Sequence, residues 1–126
     1  MSDAVSLTRR ELDIMSVLWR RGRATVSEVR DELADDLAYP TVQTMLRVLE
    51  GKGYVGHIVD GRAFLFHALV EQDEVADSAL GRLIDKVYHG SRELLVSRLL
   101  ADEDISPDEL RRIRKLLQNR IDEASR

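Results

Sequence analysis

AYPTVQTMLRVLEGKGYVGHIVDGRAFLFHA, residues 38–68, places a short helix and a tight hairpin back to back. Pro40 suits a first helical turn, where its missing N–H would lack an intrahelical partner anyway, and Lys52-Gly53 closes the helix. At about 100° per residue, Val42, Met45, Leu46 and Leu49 share one face, which must pack inward. Pro40, Gln43, Thr44 and Arg47 fall opposite, with Thr41 and Val48 on the flank. The outward face is therefore short, polar and, apart from Arg47, uncharged. Val55–Val59 and Arg62–Ala68 read as strands joined by Asp60-Gly61, a favoured two-residue hairpin turn whose central positions both need positive φ. That turn pairs Val55 with Phe66 and His57 with Phe64, aiming the aromatic rings inward and Arg62 outward.

Two helices are expected upstream. Thr8-Arg9-Arg10-Glu11 is a capping box, in which the Thr hydroxyl and the Glu carboxylate each accept from the other residue's backbone N–H. Leu12, Met15, Leu18 and Trp19 then recur at helical spacing, widened by Ile14 and Val17. Arg20-Arg21-Gly22 suits the negative end of a helix and a left-handed cap. Thr25-Val26-Ser27-Glu28 repeats the box, with Val26, Val29 and Leu33 as the buried stripe, and Asp35-Asp36 marks the turn before residue 39. Helix, helix, helix and hairpin in this order describe a winged helix-turn-helix, with a recognition helix at about residues 39–52.

After a linker near Leu69–Asp73 the pattern is wholly helical. Ala76, Ala79, Leu80, Leu83 and Val87 mark a fourth helix, stopped by His89-Gly90. Ser91 can cap a fifth carrying Leu94, Leu95, Leu99 and Leu100. Ser106-Pro107-Asp108-Glu109 is a capping box opening a sixth, with Leu110, Ile113, Leu117 and Ile121 as its stripe. Three helices in so few residues make a poor autonomous core, since domains of about 60 residues bury only about 60% of their unfolded surface. A two-fold dimer would bury Leu80, Leu83, Val87, Leu94, Leu95, Leu99, Leu110, Ile113 and Leu117 against a second copy; packing back on the N-terminal half is the monomeric alternative. The expected fold is mainly α with a small β-hairpin wing. Residues 1–69 form the winged helix domain and residues 70–126 the three-helix dimerisation region.

Composition narrows the function. With 44% hydrophobic and 33% charged residues the 126-residue chain is globular rather than disordered. It has no cysteine, so disulfides, thiolate metal sites and cysteine nucleophiles are excluded. MSDAVSLTRRELD lacks the apolar run of a leader, and no stretch approaches the ~20 apolar residues of a membrane span; a cytoplasmic protein without membrane contact is expected. His57, His67 and His89 are isolated, and Gly-Lys-Gly at 51–53 is too short for a phosphate loop. No enzyme, no metal and no cofactor are expected. The net charge of −4 hides its distribution, because residues 1–69 carry nine Arg/Lys against ten Asp/Glu and residues 70–126 carry ten against thirteen. Local placement decides whether a surface can meet phosphate.

Double-stranded DNA is the partner this pattern favours. In a major groove, where base edges are distinguishable, Gln43 could pair with adenine, Arg47 with guanine or a phosphate, and the Thr41 and Thr44 methyls with thymine. Backbone N–H groups at the starts of the first and third helices, around Arg9 and Arg10 and around Tyr39 and Pro40, could hold phosphates. Arg62 on the wing could reach a phosphate or the minor groove. A winged-helix protein-interaction module and a small-molecule-responsive regulator are the alternatives.

LTRRELDIMSVLW, Thr41–Gly53, the Arg62–Phe66 wing and VYHGSRELLVSRLL with its SPDEL-type final helix together resemble the penicillinase/methicillin-resistance repressor (BlaI/MecI) family of bacterial transcription regulators. The resemblance implies a homodimeric repressor with an interlocked C-terminal helical region, acting on a pseudo-palindromic operator. In penicillin-responsive members an upstream membrane sensor-protease triggers cleavage at an Asn-Phe bond; the corresponding residues here look like Arg98-Leu99, which departs from that bond and from that induction route. The copper-responsive branch uses a C-terminal cysteine pair, which this chain lacks.

Overall fold

The computed structural model describes residues 6–126; the N-terminal stretch examined for a leader begins outside them, in residues 1–5. The order is α1 (Arg9–Arg21), α2 (Val26–Glu32), α3 (Tyr39–Gly51), β1 (Val55–Asp60), β2 (Ala63–Ala68), α4 (Gln72–Val87), α5 (Arg92–Leu100) and α6 (Pro107–Ala124). Among the described residues no helix is long and apolar enough to cross a membrane. Tertiary contacts divide the chain inside α4, into a unit ending at Arg82 and a unit Leu83–Arg126.

The first unit is built on two matched caps. Thr8 and Thr25 each accept from the backbone N–H three residues on, at 3.1 and 3.2 Å, and Glu11 and Glu28 each accept the reciprocal N–H at 2.9 Å. Gly22 ends α1 at φ +84°, where its N–H donates to the Leu18 carbonyl. α3 starts at Tyr39 with Pro40 in its first turn and no side-chain cap on Ala38. Its Val42, Leu46 and Leu49 are fully buried among Ile14, Met15, Leu18 and Val29. Each such side chain contributes about 1.5–3 kcal/mol by leaving water, so the helix is fixed in rotation by its apolar face.

Leu12 departs from the expected stripe, being 42% exposed, while its neighbour Glu11 is buried. At about 100° per residue the buried face of α1 centres on Ile14 and Leu18; Leu12 falls beyond its edge. Glu11 falls inside it, tolerated there because Lys52 meets it at 2.7 Å.

The hairpin also differs from expectation. Its register pairs Val55 with Ala68, His57 with Phe66, Val59 with Phe64 and Asp60 with Ala63. The expected Val55–Phe66 and His57–Phe64 pairs are thus two residues out. The turn is Gly61-Arg62, with positive φ (+63°) at Gly61 and at no other turn position. A glycine-first turn needs just that one positive φ, so Asp60 stays extended and joins the ladder. A slip of two conserves side-chain parity, and each residue keeps its expected face. Of the two rings expected to point inward, Phe66 is buried but Phe64 is 46% exposed, two rungs nearer the tip.

The second unit has little interior of its own. α4 starts at Gln72, inside the expected linker. Val75 and Ile84 are its buried side chains, neither in the expected stripe. His89 and Gly90, both at positive φ, end it, with the Gly90 N–H returning to the Ile84 carbonyl at 2.9 Å. Ser91 and Ser106 accept from Leu94 N and Glu109 N, both at 3.1 Å, and cap α5 and α6. Neither α5 nor α6 carries a buried residue.

Candidate nucleic-acid interface

α3 presents Pro40, Thr41, Thr44 and Arg47 to solvent, with Gln43 half-buried beside them. A concavity of about 460 Å³ lies between the start of α2, the outer face of α3 and the wing. Tyr39, Gln43 and Arg47 line one wall and Arg62 and Phe64 the other, with Thr25 and Ser27 closing the α2 end. No carboxylate lines it, and among the described residues neither Arg47 nor Arg62 makes an ion pair. Two free guanidinium groups beside hydroxyl and amide donors make a cleft suited to a phosphodiester chain, since arginine's planar fork matches phosphate oxygens.

The flanking arginines are handled differently. Arg10, expected at a phosphate, meets Asp35 at 3.2 Å, while Arg9 is exposed in the first turn of α1. Arg20 and Arg21 are taken up by Glu28 and Glu32 at 2.6–2.8 Å, tying the end of α1 to α2. Those guanidinium groups lower the Glu32 pKa, and Glu32 in turn raises that of Arg21; the Thr25 backbone N–H, then Arg21, lowers Glu28. Arg30 sits over the Tyr39 ring, 5.9 Å from its centroid, at the start of α3. Of the basic residues in the first half, Arg47 and Arg62 therefore share the cleft.

Two pairs lock the far end of α3. Lys52, its C-cap, donates to the buried Glu11 of α1. Burial pushes the Glu11 carboxyl up, but the Lys52 ammonium and the Thr8 N–H outweigh it and hold the pKa below the ordinary value. Glu50, in the last turn, accepts from His57 Nδ1 of β1 at 2.6 Å.

Sequence reasoning placed Tyr39, Gln43, Arg47 and Arg62 on one surface, and the fold brings these four together. Arg9, Arg10, Pro40, Thr41 and Thr44 lie outside the cleft. Thr25, Ser27 and Phe64 also line it, and the sequence reading does not single them out as site residues. The first two had an available signal, because the helix preceding a recognition helix crosses the DNA backbone in helix-turn-helix folds. Phe64 could not be found without the true turn, which decides how far it stands from the anchored end of the hairpin.

Comparison with known proteins gives this surface a lineage. Residues 7–119 match the family model described as penicillinase repressor. The methicillin resistance regulatory protein MecI of Staphylococcus aureus (strain N315) is 27% identical over 112 residues, covering 87% of this chain and 91% of MecI. The penicillinase repressor of Bacillus licheniformis is 26% identical over 110 residues, 86% of each chain. The solution structure of Bacillus licheniformis BlaI, solved as a monomeric form in complex with the blaP half-operator, superposes with a TM-score of 0.50 at 29% identity. It covers 59% of this chain and 93% of that one. With the family model spanning nearly all of its length, this chain belongs to the penicillinase repressor family.

Proposed function

We propose that the protein is a dimeric transcriptional repressor of the cytoplasm, binding a pseudo-palindromic operator with one winged helix per half-site. The observation that carries this reading is the Arg47–Arg62 cleft. It lies between a helix rotated by its buried Val42, Leu46 and Leu49 and a wing whose turn is exposed. In this reading α3 enters the major groove. Thr41, Gln43, Thr44 and Arg47 face base edges, and Arg9, Arg10, Tyr39 and Pro40 lie along the backbone, Arg10 exchanging Asp35 for phosphate. Arg62 takes the adjacent phosphate or minor groove. BlaI, a relative with the same fold, was solved on a half-operator, which supports the assignment.

Residues 1–69 then serve as the DNA-reading domain and 70–126 as the dimerisation domain. The exposed side chains of Leu80, Leu83, Val87, Leu94, Leu99, Leu110 and Leu117, with the half-exposed Leu95 and Ile113, favour a second copy as their cover. Monomeric soluble proteins rarely leave large apolar patches in water. An upstream protease or sensor would act by a route other than the Asn-Phe cleavage of the penicillin-responsive relatives, because Arg98-Leu99 stands at the corresponding place.

Selection of duplexes from a random library tests the reading in one step. Recovery of an inverted repeat, bound with an affinity that falls steeply with salt, is the expected result. Failure to enrich any sequence, or binding indifferent to salt, rejects it.

A further inference from the structure

The wing is anchored at its base and free at its tip, and one residue stands at the junction. Ala24 exchanges both backbone hydrogen bonds with Phe66, at 2.8 and 3.0 Å, and Phe66 is buried. His57 is the cross-strand partner of Phe66. Beyond that rung come Ile58–Leu65, Val59–Phe64, Asp60–Ala63 and the turn, with Val59 64% exposed. A two-stranded ribbon without further packing is marginally stable in water, so the tip needs another hold if Arg62 is to stay opposite Arg47.

His57 supplies a hold in two directions. Its Nδ1 donates to Glu50 Oε2 at 2.6 Å, across to the last turn of α3. A carboxylate can only accept, so the ring proton lies on Nδ1 whether the imidazole is neutral or charged. Its ring stacks on Phe64, centroids 4.3 Å apart and planes at 15°, two rungs nearer the tip. Phe64 is two residues from Arg62, and both line the cleft. Contacts thus run from α3 through Glu50 and His57 to Phe64, two residues short of Arg62. Both partners of the hydrogen bond are about one-third exposed, so water competes with it only partly.

The geometry points to His57 as a positioning residue: bonded to Glu50 and stacked on Phe64, it fixes the wing so that Arg62 meets the same DNA duplex that α3 reads. His57 itself touches no nucleic acid in this arrangement. The inference rests on the DNA-binding reading of the cleft and adds the residue that sets its width.

The test measures binding to a mixed-sequence duplex of about 30 base pairs over a range of salt concentrations, because each phosphate contact contributes about −0.9 to the slope of log affinity against log salt. Arg62→Ala should reduce the slope by about 0.9. His57→Phe, which keeps a stacking ring but loses Nδ1, should reduce it equally. The double variant should be no weaker than Arg62→Ala alone. Glu50→Ala and Glu50→Gln remove the same charge, but only the glutamine oxygen can still accept from Nδ1. Glu50→Gln should therefore retain the contact that Glu50→Ala loses, a rescue that a general loss of stability would not reproduce. A wild-type slope in His57→Phe, losses that multiply in the double variant, or identical slopes for Glu50→Ala and Glu50→Gln would each overturn the inference. Wild-type protein that ignores salt would instead remove the DNA reading, and this inference with it.

Discussion

Arg47 and Lys52 lie on the same helix and have opposite fates. Arg47 is exposed, free of carboxylates and directed into the cleft, whereas Lys52 is committed to Glu11. Arg47→Ala should cost about 1–3 kcal/mol of operator binding and relax preference at one base position if the guanidinium reads a base. Even weakening across all sequences would mark a phosphate contact. Competition titrations on single-base variants of the selected duplex distinguish the two. Lys52→Ala should leave the cleft intact but destabilise the fold by about 1.5–3 kcal/mol, the range for hydrogen bonds to charged groups, read from denaturant midpoints. The Glu11–Lys52 pair also sets a pH dependence. The folded-state pKa of Glu11 is depressed below 4.5, the value for an unperturbed group. Its stabilisation is thus fully present above about pH 4.5 and is lost as pH falls through the folded value. Thermal melts from pH 7 down to pH 3 should show a decline that is shallower in Glu11→Gln.

Among the elements, the helices are legible from caps and periodicity, and the hairpin is legible in its strands but not in its turn or register. Thr8 and Thr25 are two local devices whose hydrogen bonds span three residues, so no distant part of the chain is needed to read them. Thr25→Ala should cost about 1 kcal/mol of stability and loosen the α2 end of the cleft, measurable by thermal unfolding and by amide exchange at Ser27 and Glu28. The turn was misplaced because Asp60-Gly61 and Gly61-Arg62 are both acceptable local solutions. The chain adopts the second, with Phe66 paired to His57 on one side and to Ala24 on the other. Gly61→Ala tests the outcome. A Cβ there meets nothing within 4 Å, so steric contact is not the cost, but φ of +63° is. An L-residue in the left-handed region loses about 1–2 kcal/mol. The loss should appear as weaker wing-dependent binding, with the melting of the three-helix core nearly unchanged.

For the whole molecule, the apolar balance is unequal between the two units. The first encloses a core of twelve buried residues around α1, α3 and Phe66. In the second, Ile84 is the buried apolar side chain, while Leu94, Leu99 and Leu117 are more than half exposed. A dimer built on these residues makes a direct prediction. Leu99→Glu should convert the protein from dimer to monomer in sedimentation experiments. It should also lower affinity for a full palindrome far more than for an isolated half-site, because the second contact is no longer tethered to the first. In the proposed dimer the two α3 helices should match half-sites separated by about 34–36 Å or a multiple of it. Equal losses on full and half operators would place the apolar surface in some other role.

What the chain specifies on its own terms is short in range: two Thr/Glu capping boxes, the glycine and proline stops, and the 3.6-residue period that buries Val42, Leu46 and Leu49 and turns Arg47 outward. Each depends on residues three or four apart, and such neighbours meet in any helix whatever surrounds it. Tertiary structure alone decided the hairpin register, the burial of Glu11 beneath Lys52 and the removal of Arg10, Arg20 and Arg21 from the basic surface. It also joined Glu50, His57 and Phe64 into one support for the wing. These outcomes pair groups up to 41 residues apart. Every arginine in the sequence has the same charge, and only the folded chain settles which of them finds a carboxylate first.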